Sequence, residues 1–373
     1  MTRKRYVVTI GVAAMVWGAF IPVRAGGQKE QGTRRMAAPV RPEELPEHQR
    51  PTAKIVKNYV APRTPWGDPQ LSGAYTNSDE SGIPFERPAE FEGRRLDELT
   101  PEELAKIVKQ RQEQTVERAP TLSTFPGATS PMHWFENYDA ANSRAWLVSD
   151  PPDGHVPTTT PESRARAAAR AQERAGRGPA DSPEDRSMYD RCITRGIPGS
   201  MMPAIYGNSY AFYQGPGYVA IRYEMVNETR IIPITSRPHL SPKVREYLGD
   251  ARGHWEGSTL VVETTNFTDK TPYRGSSEQL KLIERFRPIG PNAVEWSVTF
   301  DDPQTWTRPW TFAMTLTKVP DAQGPFEYAC HEGNYGLRNI LTAARAEEQE
   351  IKDAAAKGVV KAPSAQDPNE GER

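Results

Sequence analysis

Residues 293–317 read AVEWSVTFDDPQTWTRPWTFAMTLT, and the fold turns on this stretch. Val294, Trp296, Val298 and Phe300 alternate with Glu295, Ser297 and Thr299. After Asp301-Asp302-Pro303 the pattern resumes, with Trp310, Phe312, Met314 and Leu316 against Thr311, Ala313 and Thr315. A period of two that puts apolar residues on one face and polar residues on the other is that of a half-buried antiparallel strand.

The same period extends in both directions. Residues 208–214, 218–224, 229–234, 258–265, 279–287, 293–300, 308–317 and 326–331 form eight strand-like runs. Breakers part them: Gly215-Pro216-Gly217, Gly275-Ser276, 288–291, Asp301-Asp302-Pro303 and 320–325. Short connections favour a meander. Eight strands in that order predict a mainly β, barrel-like domain over 208–336, topologically like the lipocalin barrels, with a pocket for one small ligand. A β-sandwich is the alternative.

Upstream, residues 61–207 are proline-rich and irregular, with helix starts that share one grammar. Thr100-Pro101-Glu102-Glu103, Thr160-Pro161-Glu162-Ser163 and Ser182-Pro183-Glu184-Asp185 each place a hydroxyl cap before Pro and acid. The first predicts a helix to Arg118. The second opens an Ala/Arg helix ending near Gly176, whose arginines read as a solvated face. The third predicts a shorter helix through Cys192. Residues 71–76 suggest a short strand, and 241–249 a short capped helix across one barrel end. Residues 337–357 are helical in pattern, and 358–373 read as a disordered tail.

Thr2-Arg-Lys-Arg5, an apolar run from Tyr6 to Val23 and Ala25 at a cleavage site make residues 1–25 a secretory signal, with 26–60 as a flexible leader. The expected locale is periplasmic or secreted, with no membrane association after cleavage. Loss of Arg3, Lys4, Arg5 and Arg24 takes the basic total from 47 to 43 against 48 acids, a net charge of −5. An acidic chain argues against nucleic-acid binding. Two cysteines, Cys192 and Cys330, predict a disulfide in an exported chain.

Nucleophile-elbow, phosphate-loop and dinucleotide signatures are absent, and no spacing specifies a metal or cofactor. His331-Glu332-Gly333-Asn334-Tyr335 begins like a zinc-protease motif but lacks its second His. Two polar, glycine-rich texts remain as candidates. Gly249-Asp250-Ala251-Arg252-Gly253-His254-Trp255-Glu256-Gly257 reads as a loop before a strand. There His254 with Asp250 or Glu256 would move a proton, and Arg252 would hold an anion. In Tyr328-Ala329-Cys330-His331-Glu332-Gly333-Asn334-Tyr335-Gly336, His331 and Glu332 would line the same cavity mouth. The rival reading is structural: Arg252 pairs with Asp250, and Trp255 turns inward with His254 in solvent.

The blocks GDARGHWEGSTLVVETTNF (249–267), TWTRPWT (305–311) and YACHEGNYG (328–336) resemble those of a family of exported bacterial proteins of unknown function. The resemblance spans roughly residues 62–345. It implies export and transfers no catalytic residue, cofactor or substrate. Three functions stay open: an enzyme acting by acid/base chemistry on a small, largely apolar or aromatic molecule in the pocket; a small-molecule binding protein using the same cavity; and an envelope interaction protein whose cavity is filled by side chains. Oligomeric state is open.

Overall fold

The computed structural model describes residues 53–118, 142–204, 206–320 and 324–362. The signal, the first part of the leader and the end of the tail lie outside the described residues. In chain order the elements are β1 (Gly73–Thr76), α1 (Pro101–Arg118), β2 (Val148–Asp150), α2 (Pro161–Glu173), β3 (Ser209–Gly215), β4 (Tyr218–Tyr223), β5 (Thr229–Pro233), β6 (Asp250–Glu256), β7 (Thr259–Thr265), β8 (Lys281–Gly290), β9 (Ala293–Asp301), β10 (Trp310–Val319) and α3 (Tyr335–Ala356). Short 3-10 turns occupy several connections, Ser78–Glu80 and Pro183–Asp185 among them.

The ten strands make one antiparallel sheet in the order β5-β4-β3-β1-β10-β9-β8-β7-β6, with β2 paired to β10 off this path. From β6 to β10 the sheet is a meander of hairpins, as the alternating sequence requires. Its continuation is not. The gap between β10 and β3 is filled by β1, where Tyr75 lies opposite Tyr210 on one side and Lys318 on the other. The predicted last strand, 326–331, is not a strand. It follows Gly324-Pro325, leaves Phe326 exposed, and ends at a disulfide that draws Cys330 away from the sheet.

The sheet is not closed into a barrel. No ladder joins edge strands β5 and β6; one parallel bridge between Ile234 and Gly253, with Thr235 N donating to Gly253 O at 3.0 Å, is where the edges meet. Gly253 makes this approach possible: a Cβ there would lie 2.8 Å from Ile234 Cδ1 and 3.0 Å from Ile232 Cγ2. Gly253→Val should therefore cost about 1–3 kcal/mol through overpacking, read as a fall in urea midpoint at unchanged slope.

The concave side is filled by side chains. Ile221, Ile232, Phe286, Trp296, Phe300 and Phe312 are each under 2 % exposed. Phe300 stacks on Trp310 at 4.2 Å between centroids, and Trp296 meets Phe312 edge-on at 5.5 Å. Burying each such side chain contributes roughly 1.5–3 kcal/mol, the main source of stability. Among them sits one ion pair. Arg230 on β5 donates Nη1 to Glu284 Oε2 on β8 at 2.5 Å and Nη2 to Thr264 Oγ1 on β7 at 2.6 Å. Trp296 Nε1 donates to the other oxygen, Glu284 Oε1, at 3.2 Å. The pair thus spans the seam that backbone pairing leaves open.

The helices follow their caps. Thr100 and Glu103 form a reciprocal box at the start of α1, and Thr160 Oγ1 accepts from Ser163 N at the start of α2. The arginines of α2 are not merely solvated: Arg166 donates to Thr305 Oγ1 at 2.7 Å and Arg170 to Asp269 O at 3.2 Å. The predicted helices at 182–192 and 241–249 reduce to turns. Within the leader, Val56 N bonds Ile289 O at 2.8 Å, so residues from 53 onward lie against the β8–β9 hairpin. All described residues fall in one compact unit.

Candidate functional site

The text Gly249–Gly257 is a strand, not a loop, and its composition follows from its place at the sheet edge. Gly249 has φ +66°, and a Cβ there would lie 2.5 Å from Thr265 O. Gly257 (φ +61°) opens the two-residue turn into β7. Between them, Ala251, Gly253 and Trp255 turn toward the core, while Asp250, Arg252, His254 and Glu256 share the outer face.

Two chains of acidic and basic side chains run over that outer face. In the first, Arg252 pairs with Asp250, whose Oδ2 lies 3.0 Å from His239 Nδ1 and accepts from Leu240 N at 2.8 Å. His239 Nε2 lies 3.3 Å from Glu263 Oε1, and Lys281 Nζ closes the chain 2.6 Å from Glu263 Oε2. Asp250 is buried and His239 half-buried. In the second chain, His254 Nε2 lies 3.2 Å from Glu256 Oε1, and Arg285 donates to Glu256 Oε2 at 2.7 Å. The Arg285 hydrogen bond, and then that of His254, hold the Glu256 carboxyl below the usual carboxylate range. Both members of the His254–Glu256 pair are about half exposed.

Of the residues singled out in sequence, Asp250 and Arg252 come together, and so do His254 and Glu256. His331 and Glu332 stand elsewhere, exposed in the turn before α3. No hydrogen bond or ion pair among the described residues joins them to β6. Their block forms a structural knot. Cys330 is bridged to Cys192, with Cα atoms 5.6 Å apart. Asn334 caps α3 through Leu337 N and donates to Asp190 O at 2.9 Å. Tyr328 stacks on Tyr206, their hydroxyls 3.3 Å apart. Burial raises both phenols, Tyr206 to about 12.

The sequence reading did not place His239 or Lys281 in the array. A lone His in Arg-Pro-His-Leu carries no signal of the two carboxylates that flank it. It also missed Asp79 and Glu80, each 2 % exposed. An Asn-Ser-Asp-Glu-Ser turn reads as surface, yet Asn77–Ser81 is buried throughout. Arg230 was likewise unmarked.

An open groove among the described residues has a volume of about 570 Å³. It lies between 245–248 and 268–270, with Tyr247, Leu248, Lys270 and Glu278 on its walls. None of the six candidate residues borders it. No group of three or more His, Cys, Asp or Glu among the described residues is arranged to hold a metal ion. No helix among them is long and apolar enough to cross a membrane.

No family model and no curated protein matches the chain. A solved structure similar to part of it is that of a secretary abundant heat soluble (SAHS) protein from Ramazzottius varieornatus. It is 11 % identical over 36 % of this chain and 87 % of that one, with a TM-score of 0.22. A likeness that slight carries no argument about function. The disulfide is the firmer indicator, since such bridges belong to non-cytoplasmic, oxidising compartments.

Proposed function

We propose that this protein is an exported envelope interaction protein, working through its outer surface rather than turning over a molecule held inside the sheet. The observation that carries this reading is the filled concave side, where aromatic rings and the Arg230–Glu284 pair occupy the space a ligand would need. The resemblance to a family of exported bacterial proteins and the disulfide support a periplasmic or secreted locale. The outer face of β3–β5 supports a contact surface. Tyr213, Ala220 and Ile231 lie in register across it, beside Tyr218 and Pro233. Tyr213 is 52 % exposed, Tyr218 45 % and Ile231 66 %. Apolar side chains grouped on a sheet face next to an edge strand are costly to leave in water and are common at interaction sites.

The test pairs binding with stability. The triple variant Tyr213→Ser, Tyr218→Ser, Ile231→Ser should keep its melting temperature within a few degrees, because these side chains are already solvated. It should lose most of the wild type's retention on washed envelopes of the producing cell. Equal retention of both proteins would refute the assignment of this face.

A second reading, small-molecule binding, is favoured by the groove beside Tyr247 and Lys270. Thermal-shift screening of small aromatic acids separates the two. A shift of several degrees that Lys270→Ala removes would support the groove and count against a purely surface-docking role.

A further inference from the structure

The turn after β1 buries two adjacent carboxylates against the outer face of β10. Donors converge on Glu80: Ser143 N at 2.6 Å, Ser143 Oγ at 2.6 Å and Thr315 N at 3.1 Å. Asp79 has less. Thr317 Oγ1 lies 2.5 Å from Asp79 Oδ2, and Asp79 Oδ1 has no hydrogen-bond partner. Two nearby hydroxyls are in the same condition, Ser81 Oγ at 4 % exposure and Thr315 Oγ1 at 1 %. Thr315 and Thr317 are two apart on one strand and so share a face. Thr315 therefore carries its buried, unpartnered hydroxyl on the strand face where Thr317 meets Asp79, and its own amide bonds Glu80.

The charge balance points the same way as the orphaned oxygens. No cation among the described residues forms an ion pair with Asp79 or Glu80. Arg111 exerts its charge on Glu80, but its guanidinium hydrogen-bonds Asn142 Oδ1 and the carbonyls of Arg144 and Ala145. Two buried carboxylates with no cation in contact are costly, and a proton or a bound cation would relieve that cost. The available donors are all oxygen: two carboxylates and two hydroxyls. Hard cations take such sets, and calcium accepts six to eight oxygens in irregular geometry, waters included.

We propose that Asp79 and Glu80, with the hydroxyls of Ser81 and Thr315, form a calcium-binding site that locks the β1 turn onto β10. The competing occupant is a proton. Burial, and then the neighbouring Glu80 charge, hold the Asp79 carboxyl well above the usual carboxylate range. Without a cation, Asp79 is therefore the acid that is neutralised by protonation. Weak sites of this kind in extracellular modules have dissociation constants of about 0.1–1 mM, suited to a non-cytoplasmic protein.

The experiment uses the full chain stripped with EGTA and then titrated with CaCl₂ at pH 7.5, followed by melting temperature and calorimetry. The expected result is one calcium per chain, a melting temperature raised by several degrees at about 10 mM, and a smaller rise with MgCl₂. Asp79→Asn should fold, melt at or above the wild type in EGTA, and lose on the order of ten-fold or more in calcium affinity. Thr315→Val, which keeps shape and both carboxylates, should weaken binding less. Absence of any calcium-dependent shift would overturn the proposal in favour of the proton. So would a shift that both variants retain unchanged, which would mark surface binding.

Discussion

Arg230→Met should destabilise the protein by about 3–5 kcal/mol, and adding Glu284→Gln should return most of that loss. Arg230 is 3 % exposed and Glu284 fully buried. Taking both charges out of water carries a penalty that their contact and hydrogen bonds offset. Burial works against the charged guanidinium, yet the Glu284 charge beside it holds its pKa above the ordinary arginine value. Removing only the cation leaves a carboxylate with no counterion, which is why the single change is severe. The double variant removes both charges. The amide introduced by Glu284→Gln still offers an oxygen to Trp296 Nε1, so that donor is not stranded. Urea unfolding of the three proteins measures the effect. The position of Arg230 adds a second contribution, because its side chain crosses from β5 to β7 and β8 where no ladder joins the edges. A double variant within about 1–2 kcal/mol of wild type would make the pair a matched but replaceable core element. A double variant as weak as the single one would show that the seam depends on the ionic link itself.

How much of this was legible in the sequence depended on whether the inner face of a strand is apolar. From 281 to 319 it is, Glu284 apart, and the hairpins of β8, β9 and β10 follow directly from the alternation. In β6 the inner residues are Ala251, Gly253 and Trp255, too small in two of three places to register as an apolar stripe. The outer residues are charged, so the strand read as a polar loop and its charges as chemistry. The glycines served close approach at the seam and tight turns, neither of which composition distinguishes from a flexible site loop. In β5 and β8 the inner face carries Arg230 and Glu284, in step with Ile232 and with Leu282 and Phe286, but their charge reads as outward. β1 is only four residues long, and its central position is set by partners more than a hundred residues away. Nothing local could have ranked it above the run at 326–331, whose own alternation of Phe326, Tyr328 and Cys330 mimics a strand. At the candidate site, the Arg252–Asp250 contact is the one the rival, structural reading expected. His239 reaches them only because the chain folds back over β6 and β7, with Leu240 N on Asp250 and Asn266 Nδ2 on Leu240 O.

Loss of the disulfide should cost roughly 4–5 kcal/mol in the chain-entropy account, and the loss should be global rather than confined to α3. Cys192 and Cys330 are 138 residues apart, and the loop they close contains every strand from β3 to β10. Cross-linking its ends restricts the unfolded ensemble of the whole sheet, even though the bridge itself lies outside it. Native contacts around the bridge are modest: the Tyr206–Tyr328 pair and the Asn334 bonds to Asp190 O and Cys192 Sγ. If those were all the bridge secured, breaking it would free only the segment leading into α3. Cys192 also holds φ at +57°, a conformation that non-glycine residues adopt at some cost. A serine there would keep that cost without the cross-link, whereas Cys192→Gly with Cys330→Ala would relieve it and should recover a small part of the loss. The readout is urea unfolding of oxidised wild type against Cys192→Ser with Cys330→Ala and Cys192→Gly with Cys330→Ala. The expected signature is a lower midpoint with a steeper slope, because an unlinked chain exposes more surface when unfolded. An unchanged midpoint for the sheet, with proteolysis confined to residues after 324, would show that the bridge anchors only the C-terminal segment.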